Sequence, residues 1–185
     1  MEYGQSLEKA WGDLWNLTEE KSFSVKFLSD FYDIDTHNQT IFSASCNMPA
    51  QEHLAILILH YLIQKLRLKD LPCPSGEWIN FNQLEGGLGY YSAFKKRTID
   101  QIVRKYGANP DALLNLKEHF PIEKIDIGDV SIIIYTFEEV PLLITMSRAD
   151  EEFDAGANIV FDKSISHIFC TEDIVVLTEA VVHLL

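Results

Sequence analysis

The chain has 185 residues, 47% of them hydrophobic, and a formal net charge of −13. That length suits one compact domain, and apolar residues spread along the whole chain exclude a disordered polypeptide. The acidic balance opposes nucleic acid and anionic membranes as partners.

The N-terminal segment MEYGQSLEKAWGDLW has no basic-then-apolar order, so no secretory leader is expected and the location is predicted to be cytoplasmic. Leu7, Ala10, Trp11, Leu14 and Trp15 fall at helical spacing and predict an amphipathic helix. SFSVKFL, DFYDID and QTIFSAS then read as short strands split by polar turns, with alternation clearest at Phe23, Val25 and Phe27. Residues 1–46 are therefore predicted to be a helix followed by a small antiparallel meander.

The strongest helical signal is NMPAQEHLAILILHYLIQKLRL, with Pro49 at the first helical position and Asn47 or Met48 as the cap. Its apolar residues run almost all round the helix from Leu54 to Leu66, which predicts a central, buried element too short to span a bilayer. YYSAFKKRTIDQIVRKYG reads as one further helix ending at Gly107. NPDALLNLKEHF starts another, with Asn109 as cap and Pro110 at the first position.

The last third changes period. KIDIGDVSIIIYTFEEVPLLITMSR reads as three strands, and the run Ile132, Ile133, Ile134 suits a strand buried on both faces. A loop, ADEEFDAGA, leads to a short strand at Asn158 to Phe161. CTEDIVVLTEAVVHLL closes the chain as a helix capped by Thr171. The expectation is a single α+β domain, 1–185, with an antiparallel or mixed sheet packed with helices.

Chemistry-bearing residues are few. Cys46, Cys73 and Cys170 are scattered, which predicts reduced, partly buried thiols and no disulfide framework. His53 and His60 are two helical turns apart, about 10 Å, too far to share one ion directly. HExxH and GxSxG are both missing.

Three stretches remain as candidates. Gly86, Gly87 and Gly89 precede a helix whose second turn carries Lys95, so backbone N–H groups there could hold an anion. GGLG is not a nucleotide-binding fingerprint, however, and a tight turn is the plain alternative. Trp78, Phe81, Tyr90, Tyr91 and Phe94 could line an aromatic pocket with Glu77 or Glu85 as its polar contact. The alternative is a packed cluster beneath a loop. Asp150, Glu151, Glu152 and Asp154 offer oxygen donors to a hard cation, but residues at consecutive extended positions face opposite ways. Without the calcium-loop spacing, a solvated acidic loop is the alternative. Such a loop could also meet the basic stretch Lys95–Lys105.

GEWINFNQLEGGLGYYSAF resembles the central motif of the domain of unknown function 3786 family. HLAILILHYLI fits that family's buried helix, and PLLITMSRADEEFDAGANIVFDKSISHIFCTEDIVVL is similar to its C-terminal block. The likeness covers about 49–185. It differs at Cys170, where a proline is more frequent, and at Arg148 and Ala149, where an aromatic and a glycine are frequent. The family occurs mainly in anaerobic prokaryotes, and some members follow an iron–sulfur cluster module. The resemblance names no reaction and no cofactor. It implies an accessory or ligand-binding role beside redox or cofactor-dependent enzymes. The positions matching its motifs are Glu77, Trp78, Phe81, Asp150, Glu151, Glu152, Phe153 and Asp162. Asp162 therefore joins the Asp150–Asp154 carboxylates as a possible metal ligand, and a metal-dependent enzyme or metal carrier is the competing expectation.

Overall fold

A computed structural model describes residues 3–185. The chain begins with helix α1 (Tyr3–Trp15), which buries Ala10, Trp11 and Leu14. Strands β1 (Ser22–Phe27), β2 (Asp30–Asp35) and β3 (Thr40–Ser43) follow as a three-stranded antiparallel meander. Helix α2 (Glu52–Leu68) buries Leu57, Ile58 and Leu59 in succession, the all-round burial that its sequence requires. Next come β4 (Trp78–Asn80), a 3₁₀ turn at Phe81–Gln83, α3 (Gly87–Arg97) and α4 (Ile99–Tyr106). A 3₁₀ segment at Pro110–Glu118 leads to β5 (Ile122–Ile125), β6 (Val130–Phe137), β7 (Val140–Ser147) and β8 (Gly156–Asp162). A last 3₁₀ turn, Lys163–His167, precedes α5 (Thr171–Leu184).

The large sheet has the order β4-β8-β7-β6-β5, and every neighbouring pair is antiparallel. The chain is thus an α+β domain with purely antiparallel pairing. β6 and β7 are its centre. Ile132, Ile134, Leu142 and Ile144 are fully enclosed, and Leu143 on the opposite face of β7 is buried as well. Covered faces on both sides explain the unbroken apolar run of β7. The second face of β6 leaves Ile133 half-buried and Tyr135 exposed, so the burial of Ile132–Ile134 on both faces that the sequence suggested is incomplete.

The two sheets are joined by aromatics. Tyr61 of α2 stacks on Phe137 of β6 at 4.4 Å, and Phe137 also meets Phe27 of β1 at 5.0 Å and Phe169 at 5.8 Å. The N–H of Leu28, just past β1, donates to the carbonyl of Thr136.

Several boundaries depart from the sequence reading. α2 starts at Glu52, with Gln51 as its cap, not at Pro49. Residues 48–50 run beside β3 instead: Ser43 N–H donates to Met48, Ala50 N–H to Ile41, and Pro49 bridges Phe42. β3 has a free edge there, and pairing it satisfies more backbone than an extra helical turn would. The helix expected from Tyr90 to Tyr106 is broken at Thr98, whose buried hydroxyl donates to the Phe94 carbonyl at 2.8 Å. The segment after Asn109 is 3₁₀, with Pro110 first as expected but no side-chain cap bond from Asn109. Cys170, not Thr171, is the cap of α5. All three cysteines are unbridged, and they are exposed, not partly buried.

Candidate functional site

The stretch Pro74–Arg97 resolves into structure. β4 is an edge strand paired with β8, Trp78 opposite Asp162. A reciprocal cap, Asn80 with Gln83, closes the 3₁₀ turn behind it. That turn delivers Phe81 onto Phe94, where the rings stack at 3.9 Å with Phe161 tilted against both. Phe81 and Phe94 are therefore core residues, Trp78 and Tyr91 are half-buried, and Glu77 and Glu85 lie at the surface. Glu77 is engaged in an ion pair with Lys163 at 2.9 Å. Of Glu77, Trp78, Phe81, Glu85 and Tyr91, Phe81 faces the core and Glu85 borders the cleft described below.

The glycines have conformational and steric roles. Gly86 caps α3 in the left-handed region at φ 70°. Gly87 is buried so tightly that an added Cβ would come within 2.0 Å of the Phe81 carbonyl oxygen. Gly87 is thus packed at the helix start, Gly86 and Gly89 are open to solvent, and Lys95 lies in the last turn of α3, directed to Asp100.

The carboxylates separate in the same way. Asp150 Oδ1 accepts from the N–H groups of Glu152 and Phe153, both at 2.8 Å, so it closes its own loop. These bonds hold its carboxyl below the usual value. Asp162 lies at the far end of β8, a strand about 20 Å long that the Asp150 loop precedes. It is fully buried. It accepts hydrogen bonds from Ser75 N–H and Oγ–H, Gly76 N–H and Ser164 N–H, at 2.7 to 3.0 Å. Burial alone would raise its pKa, but these donors outweigh it and hold the carboxyl at about 2. Asp162 fastens the loop before β4 to the end of β8. Among the described residues, no three His, Cys, Asp or Glu side chains are arranged to share a metal ion. Asp150, Glu151, Glu152, Asp154 and Asp162 do not converge.

A large hollow lies elsewhere. A cleft of ≈ 920 Å³ runs along α5, with Glu85, Gly86, Tyr90 and Arg97 on one side and Gln64 on the other. Ile168, Phe169, Ile174 and Val175 supply its apolar lining. It forms because α5 lies between α2 and α3. The hydroxyl of Thr171 donates to the Glu85 carbonyl at 2.7 Å, and Arg97 pairs with Glu179 at 3.2 Å, its guanidinium 5.7 Å from the Tyr90 ring centre. His60 of α2 reaches across to Asp173, its Nδ1 2.9 Å from both carboxylate oxygens.

Cys170 stands at the rim, its Sγ–H donating to Asp173 at 3.2 Å. Although Cys170 is exposed as a residue, partial desolvation of its sulfur at the rim pushes the thiol up to about 12. A backbone bond at Asp173 offsets part of this rise, and the nearby Asp173 charge adds to it. Asp173 thus lies between imidazole and sulfur. His60 is aimed at the carboxylate, so it does not draw the proton from the thiol as a nucleophile's base would.

Sequence reasoning had named only Glu85, Gly86 and Tyr90 among the residues of this cleft. Arg97 ends α3, His167 ends the last 3₁₀ turn and Cys170 and Thr171 start α5, so together they make no local motif. The helix start at Thr171 was the one signal pointing there.

The sequence model of a family described as a domain of unknown function, DUF3786, matches residues 14–184. The chain belongs to the DUF3786 family. The match extends further toward the N-terminus than the likeness seen from Pro49 onward. It takes in the three-stranded sheet, as the Leu28–Thr136 bond and the Phe27–Phe137 contact lead one to expect of a single DUF3786 unit. No curated protein and no solved structure matches this DUF3786 chain.

Proposed function

We propose that the chain is a non-catalytic binding domain that takes a small organic molecule in the cleft along α5. The observation that carries the reading is the state of that cleft. Its volume suits a ligand of cofactor size, yet its one thiol is kept protonated and lacks a base. Apolar residues supply the contact area. Tyr90, Gln64, Ser166 and Thr171 supply polar contacts. Glu85, Glu172 and Glu179 outnumber Arg97 on the walls, and Arg97 is already paired with Glu179, so a neutral or cationic ligand is favoured over an anion.

An accessory role beside a redox or cofactor-dependent enzyme rests on the family resemblance alone. The competing metal-dependent reading, on Asp150, Glu151, Glu152 and Asp154, draws no support from the way Asp150 is spent on its own loop.

Titration followed by amide resonances tests the proposal, with thiamine as a cationic ring, riboflavin as a neutral one and adenosine monophosphate as an anion. The expected result is a shift of the Cys170–Asp173 and Tyr90 amides with a cationic or neutral ring. Cys170→Ser should leave that binding within about twofold, because the thiol contributes no charge. Preference for the anion, or shifts confined to other regions, would overturn it.

A further inference from the structure

The three-stranded sheet ends in an edge whose backbone is unpaired. β1 and β2 are joined by a two-residue turn, Leu28–Ser29, with Phe27 opposite Asp30. The Thr36 N–H donates to the Lys21 carbonyl, so Lys21 and Thr36 belong to the hydrogen-bonded set of residue pairs. Antiparallel pairs alternate, so Phe23, Val25 and Phe27 bond inward to β2. Ser22, Ser24 and Lys26 point their N–H and C=O groups outward. Among the described residues these groups have no hydrogen-bond partner in the backbone, and all three residues are exposed.

Beside this edge lies a groove of ≈ 430 Å³ between β1 and α2. Phe23, Leu62 and Leu66 give it apolar walls, and Lys26, Lys65 and Lys69 line it as well. In a chain of net charge −13, three lysines against one carboxylate, Glu138, on one small groove are a local reversal of sign. Lys65 is paired with Glu138. Lys26 and Lys69 have no carboxylate within ion-pair distance among the described residues.

We infer that this edge is a docking site for an extended acidic peptide of a partner protein, which adds as a further antiparallel or parallel strand beside β1. The free backbone groups of Ser22, Ser24 and Lys26 supply the affinity common to strand addition. The period of two puts alternate side chains of the guest on the groove side, against Leu62 and Leu66, and the others on the outer face beside Lys26. A guest alternating apolar residues with Asp or Glu therefore meets both surfaces. The Leu28–Thr136 bond closes the edge beyond β1, which limits the added strand to the span of Ser22 to Lys26. This site is separate from the cleft along α5 and does not depend on that cleft's ligand.

The probe is a pool of fluorescent heptapeptides alternating Val, Ile or Phe with Asp or Glu, read by anisotropy against a matched pool carrying Lys or Arg. The acidic pool should bind, more weakly as salt rises, and the amides of Ser22, Ser24 and Lys26 should gain protection from hydrogen exchange. Ser24→Pro removes an outward N–H while leaving the bonds to β2 intact, and should weaken binding by at least about tenfold. The double variant Lys26→Glu with Lys69→Glu should do the same by charge alone, and stands as the decisive variant if Ser24→Pro impairs folding. Equal binding of acidic and basic pools, no edge protection, or self-association of the chain through this edge in place of peptide capture would each overturn the inference.

Discussion

The loop that leads into β8 and the far end of that strand each carry an aspartate, and the fold treats the two oppositely. At the far end Asp162 is sealed from solvent and holds four hydrogen bonds from three residues. Before the strand, Asp150 stands in the open and accepts only from the loop that it begins. An aspartate in a sequence announces a charge but not its surroundings. Here one carboxylate organises the backbone of two distant segments, and the other shapes a single turn. Stability should be sensitive to the first and nearly blind to the second.

The hardest test of that contrast is Asp162→Ala. It leaves the Ser75, Gly76 and Ser164 donors without their acceptor and should cost about 3 kcal/mol in denaturant unfolding. A loss under about 1 kcal/mol would erase the distinction between the two aspartates.

Acid supplies a second test without a deletion. Asp162 sits at about 2 in the folded chain against an ordinary 3.8. Its contribution is therefore complete above that ordinary value and disappears as pH falls through the folded one. The wild type should lose about 2 kcal/mol relative to Asp162→Asn across that interval. Parallel curves for the two proteins would contradict the assignment.

Ser75→Ala should cost about 1 kcal/mol, since Ser75 Oγ both donates to Asp162 and accepts from Glu77 N–H. In the open loop, Asp150→Ala should change stability by no more than about 0.5 kcal/mol. A larger effect there, measured in the same denaturant series, would show that the acidic loop is structural after all.

Much of the fold could be read from residue patterns. α2 and β7 declared themselves through unbroken apolar runs, because burial on all sides leaves no polar period to disguise them, and β6 through its three consecutive isoleucines. β4 was missed: three residues at a sheet edge, two of them half-buried, carry too little alternation to register. The break at Thr98 was hidden because neither glycine nor proline marks it; a threonine whose hydroxyl bonds the preceding turn looks like any helical residue. The glycine stretch was legible as a turn, and Phe81 and Phe94 do turn inward. The cleft was legible only at its Glu85–Tyr90 border, since α2, α3 and α5 meet there by tertiary packing.

The aromatic contact between the sheets bears on how the chain is made. Phe27 and Tyr61 leave the ribosome long before Phe137, the ring that meets both, and before Phe169, which packs on Tyr61 and Phe137. The first sheet therefore waits, with Phe27 and Tyr61 uncovered, until the last third of the polypeptide has been translated. A nascent chain arrested after Leu116 should leave Ser22–Phe27 open to protease, and release of the full-length product should close it.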